Sequence, residues 1–204
     1  GLSLFFADKD PKTVTVTEIP KMGRHAVNSN QVFYDGLEIP VENRIGEEGK
    51  GFRYILDSLN PERVLNAAEV IGIGRRALDK ASQYAAERVV FGRPIGKNQS
   101  IAHPLAEAWS QLYAAELMTL HAAEMYDKGE PCGAQANAAK YLAADAGFLA
   151  CDRALRTHGG MGYATEYHVE RYFRECVACQ IAPVSREMIL NFLSERELGL
   201  PKSY

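Results

Sequence analysis

The sequence lacks any apolar run approaching the roughly 20 residues of a membrane-spanning helix, so no such span is expected among its 204 residues. It also lacks a charge of one sign. Its 23 Lys and Arg stand against 26 Asp and Glu, a formal net charge of -3. The cations are scattered among the acids, which reads as solvated helix faces and leaves no electrostatic footprint for nucleic acid. The opening GLSLFFADKDPK carries neither the basic start nor the cleavage site of a signal peptide. Cysteine is sparse: Cys132, Cys151, Cys176 and Cys179. The last two form a C-x-x-C, but no second pair or histidine follows at zinc spacing. They fall in a helical stretch, YFRECVACQI, where residues three apart share a face. They therefore read as small core residues in a reduced compartment, and no metal is expected. Internal repeats and low-complexity tracts are missing as well.

What is present is globular: 47% apolar and 24% charged residues. The chain changes character near residue 56, and two domains are expected, 1–55 and 56–204. In the first, TVTVTEIP (Thr13 to Pro20) alternates β-branched and polar residues, the pattern of a half-buried strand. QVFYDGLEIP (Gln31 to Pro40) is a second strand region, broken by the turn signal Asp35-Gly36, and GEEGKG (Gly46 to Gly51) is a connector.

In the second, Asn60-Pro61-Glu62 reads as a helix start, with Asn as N-cap, Pro at the first helical position and an acid in the first turn. Val64, Ala68, Ile71, Leu78, Ala81 and Ala85 follow a helical stripe, interrupted at FGRPIGKN (Phe91 to Asn98). Ile101, Leu105, Ala108, Leu112, Ala115, Ala122 and Met125 predict a second long helix. A third runs from about Ala134 to Gly159-Gly160, a shorter one over Glu166 to Ala178, and a last one over Ser185 to Leu198. Long helices with short links predict a mainly α fold, an antiparallel helical bundle preceded by a partial antiparallel β-domain.

Four segments, in order, narrow the function: GLEIPVENRIGEEGKGF (from Gly36), NPERVLNAAEVIGIGRRALDKASQYAAERVVFGRPIGKNQ (from Asn60), RALRTHGGMGYATEYHVERYFRE (from Arg153) and QIAPVSREMILNFLSERELGL (from Gln180). Together they resemble the acyl-CoA dehydrogenase family over nearly the whole chain. The resemblance is to that family's C-terminal half, the end of its β-domain followed by its helical domain. Its N-terminal helical domain, and the strand that holds the isoalloxazine, find no counterpart in these residues. The chain alone is thus expected to bind FAD weakly or not at all.

The resemblance implies removal of an acyl-CoA α-proton by a carboxylate while a β-hydride passes to FAD N5. That proton is weakly acidic, so the base must be desolvated and donors must stabilise the enolate-like oxygen. In much of the family the base lies in a Tyr-Glu-Gly-Thr run near the C-terminus. Here that stretch is Ala182-Pro183-Val184-Ser185, with proline where the glutamate would stand. A branch resembling the isovaleryl- and long-chain enzymes places its base at the start of the first bundle helix, where this chain has Glu62 followed by Arg63. Glu62 is therefore the expected base, with Asn60 and Arg63 beside the substrate. Apart from the resemblance, Glu62 reads as an acid completing a helix N-terminus.

For FAD held by a neighbouring subunit, the resemblance carries over Arg88, Phe91, Gln99, Gly159 and Gly160. Arg156 stands where the family has glutamine, and Val90 where it has threonine. Singly, Arg88 could be an exposed helix-end cation and Gly159-Gly160 a plain helix cap. His158 reads as structural, and Trp109, Tyr113 and Tyr126 as packing between helices or subunits. The expected partners are acyl-CoA, an electron-transfer flavoprotein and further copies in a dimer of dimers. The expected compartment is the bacterial cytoplasm, or the mitochondrial matrix for a eukaryotic chain. Two other readings stand beside this one: a non-catalytic assembly half that needs a separate flavin-binding chain, and a helical-bundle interaction module.

Overall fold

The computed structural model describes residues 1–203, with Asp57 by its backbone alone. They divide into two compact units, with the boundary between Leu59 and Asn60. In the first, β1 (Leu4–Phe5) pairs antiparallel with β4 (Arg44–Ile45), and β2 (Val14–Ile19) pairs antiparallel with β3 (Ser29–Tyr34). Apart from these ladders there is one isolated parallel bridge, Leu2 to Lys50. The β2–β3 register runs from Val14 opposite Tyr34 to Ile19 opposite Ser29. Beyond Tyr34 the amide of Asp35 donates to Thr13 O at 2.8 Å, and Gly36 turns away at φ +64. The expected strand character of residues 37–40 is accordingly not realised.

The half-buried alternation of Thr13 to Pro20 is also corrected. Only Val14 of β2 is buried, and β3 is exposed throughout. Alternation buries one face only when a second layer covers it, and two strands alone provide none.

The chain's longest element is α1 (Gly51–Glu87), with Pro61 in its interior. The expected start at Asn60 was wrong. Proline forfeits one amide hydrogen bond, but its ring fixes φ near the helical value. The flanking FRYILDSL and ERVLNAAE are compatible with helix, so the element runs through. A hairpin follows, β5 (Val89–Val90) and β6 (Arg93–Pro94), with Phe91 and Gly92 both at positive φ in its turn. Then come α2 (Gln99–Asp127), α3 (Gly133–His158), α4 (Gly160–Tyr163), α5 (Val169–Ile181) and α6 (Arg186–Arg196). α5 starts after His168, which sits at φ +64, rather than at Glu166. Ser185 caps α6, its Oγ accepting the Met188 amide at 3.4 Å.

The core is built largely of alanine. α1 buries Ala67, Val70, Ile71, Ala77, Leu78, Ala81 and Ala85, whereas Ala68, expected inside, is exposed. α2 buries Ala108, Leu112, Ala115, Thr119 and Ala122, and leaves Ile101, Leu105 and Met125 half-buried. The inward edge of α1 is set by close backbone approach. A Cβ on Gly147 of α3 would lie 2.9 Å from the Val70 carbonyl oxygen, and one on Gly74 would lie 3.2 Å from Gly147 Cα.

All four cysteines are free and buried. The hydrogen bond that the Cys151 thiol donates to the neighbouring Cys176, then burial, push its pKa far above the ordinary range, as suits an inert core thiol. Among the described residues, no cluster of His, Cys, Asp or Glu could hold a metal, and no helix is long and apolar enough to cross a membrane.

Candidate active site

Side-chain contacts fix the helix directions. Arg75 of α1 pairs with Glu116 of α2, and further along α1 Ala85 abuts Gly96, just ahead of α2. α1 and α2 are thus antiparallel. Val70 meets Gly147 and Tyr84 meets His158, so α1 and α3 run parallel. Two groups of expected site residues fall at opposite ends of this bundle.

One end carries the end of α1, the β5–β6 hairpin, the start of α2 and the end of α3. It therefore brings Arg88, Phe91, Gln99, Arg156, Gly159 and Gly160 to one end. Arg88 and Gln99 are exposed, and Phe91 stands fully in solvent at φ +50. Arg156 is held by Nε, which donates to both Asp152 carboxylate oxygens at 2.8 and 2.9 Å. Its two terminal nitrogens stay available on a side chain that is 70% exposed. Gly159, at φ +58, ends α3, and the positions that Cβ atoms would take on Gly159 and Gly160 are open space. A bare, open backbone beside exposed arginines suits close approach of a diphosphate. These residues fit the phosphate portion of FAD.

His158 stacks on Tyr84 with centroids 4.4 Å apart, meets the edge of Tyr167, and lies 2.8 Å through Nδ1 from the Ala154 carbonyl. A carbonyl only accepts, so Nδ1 carries the proton in the neutral ring. Burial, partly offset by that hydrogen bond, holds its pKa below the ordinary value. Trp109 and Tyr113 of α2 stack on each other, 60% and 48% exposed, Trp109 lining an open cleft with Leu78 and Ala85 of α1, and Tyr126 is exposed too.

The other end carries Asn60, Glu62 and Arg63. Glu62 is exposed and lies well inside α1, so no helix terminus supports it electrostatically. Arg63 is half-buried, donates from Nη1 to Asn60 Oδ1 at 3.1 Å, and has a buried Nε without a hydrogen-bond partner. Burial lowers its pKa, and the Glu62 carboxylate opposes that shift. Arg63 also lies within electrostatic range of Lys140 on α3, whose Nζ donates to the Val184 carbonyl at 2.7 Å. Glu62 and Pro183, which stand at the two positions where the resemblance places a base, therefore share one end of the bundle.

Sequence reasoning passed over Lys140 and Asp152. Lys140 had a signal: it stands on the same α3 face as Ala136, Ala143 and Gly147, all buried and small. Asp152 stands one turn before Arg156 on α3, a helical ion-pair spacing.

Residues 49–198 match the family described as "Acyl-CoA dehydrogenase, C-terminal domain". An acyl-CoA dehydrogenase of Bacillus subtilis is 36% identical over 200 residues, 98% of this chain and 53% of that protein. Acyl-CoA dehydrogenase FadE12 of Mycobacterium tuberculosis is 43% identical over 176 residues, 85% of this chain and 45% of that protein. The structure of butyryl-CoA dehydrogenase from Megasphaera elsdenii superposes with a TM-score of 0.90 at 32% identity, covering 97% of this chain and 52% of that one. The chain spans about half the length of the relatives it matches.

Proposed function

Because this chain belongs to the acyl-CoA dehydrogenase family, we propose that it supplies the C-terminal part of a flavoenzyme that desaturates an acyl-CoA thioester between its α and β carbons. Residues 1–55 act as the end of the β-domain and 56–204 as the helical domain. The observation that carries the reading is the exchange at one end of the bundle, an exposed glutamate at 62 and a proline at 183.

Glu62 takes the α-proton. Its exposure leaves the carboxylate open to an incoming substrate, and water excluded by the bound acyl chain makes a carboxylate a stronger base. Arg63 and Asn60 orient the thioester end, and the unpartnered Arg63 Nε is a donor for a substrate oxygen. At the other end, Arg88, Arg156, Gln99 and the open Gly159-Gly160 backbone bind the phosphates and adenosine of FAD, with Phe91 packing against it. When bound, FAD supplies the hydride acceptor, and an electron-transfer flavoprotein takes the electrons onward. The bacterial relatives favour a bacterial cytoplasmic enzyme that works as a dimer of dimers.

Glu62→Gln keeps the shape and removes the basic oxygen. In the complete enzyme, flavin bleaching on mixing with substrate, without an electron acceptor, should fall by about 10²–10⁴-fold. FAD and acyl-CoA binding should stay nearly intact. Unchanged bleaching would place the base elsewhere.

A further inference from the structure

Lys140 heads the fully buried side chains, at 1% exposure. An ammonium inside a core is costly unless it is well paired, and here the pairing is thin. Nζ has one carbonyl, that of Val184. Cys179 and then Asp145 favour the charge from within electrostatic reach, but Asp145 is already engaged by Arg186 at 3.1 Å and by Gln180 at 3.5 Å. Arg63 approaches as a second cation and works against the charge. A hydrophobic side chain would fill the same space without a buried charge, so stability alone does not account for a lysine.

The place of the hydrogen bond does. Val184 stands directly before Ser185, the cap of α6, in the connection between α5 and α6. That connection is pinned to α3 beside Arg63, which follows Glu62 and holds Asn60.

We propose that Lys140 is a positioning residue for the Glu62 end of the bundle: its bond to Val184 makes the α5–α6 connection a fixed wall beside Arg63, and so sets where Glu62 and its neighbours stand. The inference rests on Glu62 as the base. Lys140 touches neither substrate nor cofactor in this role.

The test compares Lys140→Met, Lys140→Arg and Glu62→Gln in the complete enzyme. It reads flavin bleaching, acyl-CoA affinity, melting temperature and amide exchange across residues 184–189. Methionine keeps most of the stem and removes the charge and donors. Lys140→Met should slow bleaching about tenfold or more through misplacement of reacting groups. It should leave acyl-CoA affinity within about twofold, the mark of a contribution to the chemical step rather than to binding. The amides of Met188 and Ile189 should exchange faster, and Lys140→Arg should recover most of the rate. Wild-type bleaching in Lys140→Met beside an inactive Glu62→Gln overturns the inference and leaves the base in place. Equal losses in both lysine variants, falling in step with melting temperature, overturn it as well, since the lysine then acts through packing alone. Wild-type bleaching in Glu62→Gln removes the base assignment and this inference with it.

Discussion

His158 shows how one side chain joins packing to charge. It is held between Tyr84 and Tyr167, with Nδ1 directed to the Ala154 carbonyl, next to the glycines that end α3. Burial is the main cause of its lowered pKa, and the positive Lys80 adds to it. Between that lowered value and the ordinary one of about 6.5, the unfolded chain binds a proton that the folded chain does not. Stability therefore rises with pH through this window and falls as the solution is acidified below about 6.5. Urea midpoints followed across the window should show this slope in the native protein and a shallower one in His158→Phe, which keeps the ring stack and cannot charge. An unchanged slope would mean that other groups carry the dependence. The sequence placed His158 among structural residues but held no sign of its partners, because Tyr84 and Tyr167 reach it only through the packing of three separate elements.

Among the helices, the sequence located nearly every long element and missed where one begins. Pro61 resembles a first-turn proline in every local respect, and only the helical residues before it make it interior. The inward face of α1 was misjudged at Ala68 for a related reason. Alanine carries little signal about facing, and the true constraint is Gly74 and Gly147, where two backbones touch. This contact gives a paired expectation. Gly147→Ala gains helix propensity of about 0.8–1 kcal/mol but forces a methyl to 2.9 Å from a carbonyl oxygen that belongs to backbone and cannot rotate aside. Overpacking costs about 1–3 kcal/mol, so the clash wins and the midpoint of chemical unfolding should drop. Gly72, on α1, has nothing within 4 Å of a notional Cβ. Gly72→Ala should therefore stabilise by about 0.5–1 kcal/mol. Equal effects at the two glycines would disprove the close approach.

Across the whole molecule, the change from strand to helix and the ordered motifs were legible in the sequence, because the two periods differ along the chain. The sequence offered no means of seeing that the expected site residues separate into two groups. Only the directions of α1, α2 and α3 reveal it. The β2–β3 ribbon teaches the same lesson in reverse, since its alternation promised a covered face that two strands cannot supply.

The length of α1 carries one last consequence. Glu62 lies near one end of the bundle and Arg88 just past the other, and the intervening helix, at 1.5 Å per residue, sets them about 39 Å apart. Under the proposed function, one flavin does not span both on the same copy, so each copy would lend its base to one reaction centre and its arginine to another. Defects at the two positions should then complement in trans. In a dimer of Glu62→Gln with Arg88→Ala, one centre collects both lesions and the other is wholly native. Neither variant need be active alone for their mixture to work. Co-refolding equal amounts should restore about a quarter of all centres, the fraction expected from random pairing of two copies in a symmetric assembly. Titrating active flavin in the mixture counts them directly. A mixture no more active than its parts would mean that both residues serve a single centre.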